Sequence, residues 1–138
     1  MEEKYVKIAE EFLNIDRMFL RNVEKLVKVQ KQCTEKINNS SALSKKEREE
    51  ITETMIRNHV RFSEVSKGII EKLKSLDKSY DTFDDIKRCM IEDIVRHEIM
   101  INNVDFVITR LNELQFDMIY GENPNVDDFL KTINERRN

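Results

Sequence analysis

The stretch SSALSKKEREE, Ser40 to Glu50, interrupts a chain that otherwise reads as unbroken helix. Asn38, Asn39, Ser40 and Ser41 are poor residues for a helix interior, because their short polar side chains compete for backbone hydrogen bonds. Three residues on, Ser44-Lys45-Lys46-Glu47 has the form of a capping box. In it the Ser44 hydroxyl accepts from the Glu47 N–H and the Glu47 carboxylate reaches back to the Ser44 N–H. The chain therefore stops and restarts within about six residues, and so short a connection forces antiparallel neighbours. The stretch is predicted to be the turn of a helical hairpin.

Working outward, apolar residues before the turn fall at Tyr5, Ile8, Phe12, Ile15, Phe19, Val23, Leu26, Val29, Cys33 and Ile37. Steps of three and four make one face of a helix over 3–37. After the turn, Ile51, Met55, Phe62, Val65, Ile69, Leu73 and Leu76 mark a second helix over 45–76, with Asn58 and His59 at the gap in the pattern. Gly68 lies inside it, either for close helix contact or without purpose. Asp77 to Asp81 reads as the second turn, with Thr82 as cap. A third helix over 83–119 carries Phe83, Ile86, Met90, Ile94, His97, Ile101, Val104, Ile108, Leu111, Leu114 and Met118. Past Gly121 and Pro124, a short fourth helix over 126–135 would bury Val126, Phe129, Leu130 and Ile133.

Composition agrees. Among 138 residues there are 2 Gly and 1 Pro, with 37% charged and 39% hydrophobic residues. Few turn formers mean few, long elements, and this mixture suits helices with one oily stripe and solvated flanks. The expected architecture is all-α: a single domain over 1–138, an up-down-up bundle of three rods with coiled-coil-like packing, plus the short C-terminal helix. Three thin rods bury less than four, which leaves a homodimer as a way to complete the bundle. A net charge of −3 gives no dominant basic stripe, so nucleic acid is not an expected partner. Apolar runs are too short to cross a membrane. The acidic start MEEKYVK is unlike a signal peptide, which points to the cytoplasm, reduced cysteines and idle glycosylation triplets at Asn38 and Asn39.

Chemistry-bearing residues are few. With the second turn centred near residues 79–80, His59 and His97 fall at nearly one height, which admits a metal site or pH sensor. A polar layer that fixes register is the plainer reading. Neither Glu-x-x-His nor His-Glu-x-x-His occurs, and no Cys falls near, so no metal or cofactor is assigned. Cys33 and Cys89 fall roughly 30 Å apart along the bundle, far beyond disulfide reach, and both read as core thiols. The third helix holds eight acidic and four basic residues and the second holds eight basic and six acidic, so the two are suited to pair. Arg57, Arg61 and Lys67 would otherwise form a basic patch for an acidic partner. No phosphate loop, nucleophile elbow or Cys/His pair supports an enzyme.

The chain's first residues, Met1-Glu2-Glu3-Lys4-Tyr5-Val6, are similar to the Thr-Glu-x-x-Tyr-Val block that opens the Dbl-homology domain of Rho-family guanine nucleotide exchange factors. Glu2, Tyr5 and Val6 match it; Met1 stands where Thr is usual. The resemblance extends loosely to LSKKEREEI, Leu43 to Ile51, to RNHVRFSEVSKGIIEKL, and to Phe129-Leu130-Lys131. It implies that Glu2 contacts a small GTPase. A counterpart of the family's third conserved block is lacking, so it also implies no autonomous exchange activity.

The reading that follows is a non-enzymatic protein–protein interaction module, an adaptor or regulatory subunit, with its contact surface at Phe116, Tyr120, Phe129 and Leu130. A small-GTPase-binding fragment using Glu2 is the first alternative. A metal or pH sensor built on His59 and His97 is the second.

Overall fold

The computed structural model describes residues 2–39 and 42–120, with side-chain surroundings through residue 117. Three long helices, α1 (Glu3–Asn38), α2 (Lys45–Ser79) and α3 (Asp85–Tyr120), hold nearly all the described residues, and no strand occurs among them. The turn at the opening stretch forms as expected. Glu47 N donates to Ser44 Oγ at 3.1 Å, and Ser44 N donates to the Glu47 carboxylate at 3.3 Å. The fourth helix expected over 126–135 lies outside the described residues.

Cross-helix bonds fix the directions. Tyr5, at the start of α1, meets Tyr80 and Asp81 past the end of α2, while Asn22 meets Ser66 and Asn58 reaches the Leu26 carbonyl. α1 and α2 are thus antiparallel. α2 and α3 are antiparallel too, with Ser63 and Lys67 on Asp105 and Lys74 on Glu98. Opposite charge on α2 and α3 does pair as the sequence suggested. α1 and α3 therefore run parallel. α2 lies against both, and α1 and α3 approach each other less closely.

The oily stripes turn inward as two clusters. One joins Phe12, Phe19, Leu26, Phe62, Leu73, Met90, Ile101 and their neighbours; the other joins Cys33, Ile37, Leu43, Ile51, Met55, Leu111 and Leu114. Between Met55 and Phe62 sits a polar layer. Asn58 Nδ2 donates to the Leu26 carbonyl at 3.0 Å, and His59 Nδ1 lies 2.7 Å from the Met55 carbonyl. Asn22 extends it, donating to the Phe62 carbonyl and Ser66 Oγ while its own carbonyl accepts from Arg61. Such bonds hold one register because any slip would strand buried polar groups.

Gln30 breaks that rule. It is 2% exposed, and neither amide atom has a hydrogen-bond partner. An unsatisfied buried amide costs about 1–3 kcal/mol. Gln30→Met keeps the volume and removes the penalty, so stability is expected to rise by about 1 kcal/mol. The urea midpoint should increase at unchanged slope. A lower midpoint would refute this.

Several details depart from the sequence reading. α2 continues through Ser79 and α3 begins at Asp85, because Asp84 rather than Thr82 caps α3: its carboxylate accepts from Lys87 N at 2.9 Å. Tyr80, fully buried, donates to the same carboxylate, which raises the Tyr80 pKa and lowers that of Asp84. Phe83 is left 72% exposed, outside the stripe. Val65 is also exposed; Ser63 and Ser66 occupy the buried positions beside it. Gly68 serves no close contact, since an added Cβ would meet nothing within 4 Å.

Candidate functional site

Lengthening α2 and delaying α3 moves the second turn's centre to residue 82. The residue facing His97 is then near position 67, about eight positions from His59, roughly 12 Å of helix. The two histidines expected at one height are therefore out of level. His59 belongs to the polar layer. His97 belongs to something else.

His97 is 8% exposed, and its ring stacks on Phe19 with centroids 3.7 Å apart. Its Nε2 lies 2.6 Å from Asp16 Oδ1 across the α1–α3 seam. On its own helix, one turn back, Asp93 Oδ2 is 3.1 Å from the same nitrogen. A single Nε2–H cannot be aimed at both oxygens. It serves Asp16, and Asp93 Oδ2 is buried without a hydrogen-bond partner. Burial, and then the neighbouring Asp16 carboxyl, push the Asp93 pKa up to about 6. The result is a compact centre of two carboxylates and one imidazole, with one ligand atom from each within 4.8 Å of the others.

The centre borders an open groove of about 500 Å³ between α1 and α3. Phe12, Leu13, Ile86, Cys89 and Met90 supply apolar walls; Asp16, Asp85, Glu92, Asp93 and Arg96 supply the charge. The groove exists because α1 and α3 are the less closely packed pair. Val6, Leu13 and Leu20 recur every seven residues along the edge of α1, each more than a third exposed. On α3, Val95, Ile99 and Phe106 form a second apolar stripe turned away from the core, with Phe106 66% exposed.

Of the sites anticipated from sequence, Phe116 is exposed near the end of α3, and the side chain of Tyr120 and residues Phe129 and Leu130 lie outside the described residues. Glu2 is exposed at the start of α1, where its carbonyl accepts from Tyr5 N and Val6 N. Arg57, Arg61 and Lys67 do not form a patch: they bond Glu53, Asn22 and Asp105 respectively. Both cysteines are unbridged, as expected. Cys33 is core, its thiol pKa raised by burial, but Cys89 is exposed on the groove and is not the core thiol expected.

Asp16 and Asp93 were not picked out from sequence. Two signals mark them. Asp93 and His97 are four apart on one helix, so they share a face. Reflecting position 16 through the two observed turns lands on position 97. Comparison with known protein families, curated proteins and solved structures finds no significant match to the chain.

Proposed function

We propose that the protein is a non-enzymatic interaction module whose α1–α3 groove receives an amphipathic helix from a protein partner. The observation that carries this is where exposed apolar surface lies. Phe12, Leu13, Ile86, Cys89 and Met90 wall the groove, and Val6, Leu13 and Leu20 leave an apolar edge exposed along α1. Apolar side chains beside an open groove are what a helix-in-groove contact uses. The four acids and one Arg of the groove favour a partner helix with Lys or Arg beside its apolar face.

Two synthetic helices with the same apolar face, one flanked by Lys/Arg and one by Glu, test the reading by fluorescence anisotropy. The basic peptide is expected to bind with a micromolar-order Kd that weakens in salt. Leu13→Glu should weaken it at least tenfold, because a carboxylate would face the apolar stripe without a partner. Absence of binding by both peptides, or an unchanged Kd in a folded Leu13→Glu protein, removes the reading. A dimer in sedimentation that Leu13→Glu dissolves would assign the groove to a second copy instead.

A further inference from the structure

Asp16, Asp93 and His97 carry more than a structural ion pair needs. We propose that these three side chains form a binding site for a divalent first-row transition cation, for which Zn2+ is the probe. The ligand atoms already converge, with separations from His97 Nε2 of 2.6 Å to Asp16 and 3.1 Å to Asp93. Ligands held at about 2.0–2.2 Å around a tetrahedral zinc sit roughly 3.3–3.6 Å apart, so each carboxylate oxygen need draw back from Nε2 by no more than about 1 Å. At present a single proton bridges imidazole and Asp16, and the buried Asp93 oxygen has no hydrogen-bond partner. A dication would satisfy all three atoms at once and match the charge of two carboxylates with a neutral imidazole. Nε2 binds the metal through its lone pair: a doubly protonated ring releases the Nε2 proton to solvent, and a neutral ring carries its one hydrogen on Nδ1 instead.

The frame is rigid. Asp93 and His97 project from successive turns of α3, the His97 ring is fixed against Phe19, and Asp16 comes from the neighbouring helix α1. Asp16 and Asp93 also line the groove, which supplies an entry path and leaves a fourth coordination position open to water. An imidazole with two carboxylates suits zinc or its first-row neighbours; Mg2+ and Ca2+ favour oxygen ligands throughout. Cys89 lies one turn from Asp93 on the same groove, outside the convergent set.

The test is calorimetric titration of the full chain, stripped with chelator, against ZnCl2. One equivalent is expected to bind with a Kd on the order of micromolar, while MgCl2 gives no saturable heat. His97→Ala and Asp93→Asn should each raise the Kd at least tenfold, and Cys89→Ser should leave it within twofold. Circular dichroism checks each fold, and Asp16→Asn substitutes for any variant that fails to fold. Zn2+ should also raise the Tm of the native chain and not that of Asp93→Asn. The proposal is overturned by absence of one-to-one binding, by binding that persists in the Asp93 and His97 variants, or by binding that Cys89→Ser abolishes.

Discussion

Phe19→Ala is expected to destabilise the fold by about 3–5 kcal/mol, the range for removing a buried aromatic ring. Phe19 is 1% exposed and touches all that matters around it. Its ring meets the edge of Phe62 on α2 at 5.9 Å and carries the His97 imidazole of α3 at 3.7 Å. Truncation opens a cavity where the three helices meet, and rods this stiff close it poorly. A chain of this length holds about 7–20 kcal/mol of stability in all, so the loss is a large fraction of the total. Urea denaturation followed by circular dichroism measures it. Phe106→Ala is the control. That ring is 66% exposed, so the change should stay within about 0.5 kcal/mol. A loss below about 1 kcal/mol in Phe19→Ala would mean that the helices do not meet at this ring.

Asp93→Asn is expected to stabilise the metal-free protein at pH 7.5 by about 1–2 kcal/mol, with the gain shrinking as pH falls below 6 and vanishing near pH 4. The sign follows from the direction of the shift. The folded pKa of about 6 lies above the ordinary 3.8, so the folded chain holds a proton there that the unfolded chain releases. Stability from this group is complete below about pH 4 and is lost as pH rises through about 6. The full shift corresponds to about 3 kcal/mol, reduced here because the Asp93 side chain is 28% exposed and shares its proton with Asp16. The charged groups facing it are Asp16 from α1 and His97 from α3, with Asp85, Glu92 and Arg96 along the same groove. An amide at position 93 keeps a donor toward Asp16 without the charge. Thermal unfolding with chelator from pH 4 to 8 reads the effect. A gain independent of pH would show that packing, and not ionisation, separates the two proteins.

The bundle itself was legible at particular residues. Every member of the α1 stripe from Tyr5 to Ile37 is buried or half-buried, and the Ser44–Glu47 box caps α2 as its spacing indicates. Both are local: a period of three to four and a cap four residues long need no knowledge of the rest of the chain. Failures occur where neighbours compete. Asp84 displaces Thr82 as cap because Tyr80 holds the same carboxylate, and Phe83 is left outside as a result. Val65 fits the apolar period, yet Ser66 takes the buried place because Asn22 of α1 needs its hydroxyl.

The amino-acid order alone determined that this chain forms long helices that fold back on themselves, since helical period and end signals act over a few residues. Which polar groups converge was decided only in three dimensions. A shift of about two residues in the centre of one turn is doubled when positions are reflected through it, and that separated His59 from His97. The same corrected register put Asp16 beside His97, where the less closely packed seam between parallel α1 and α3 leaves a groove at the centre's edge.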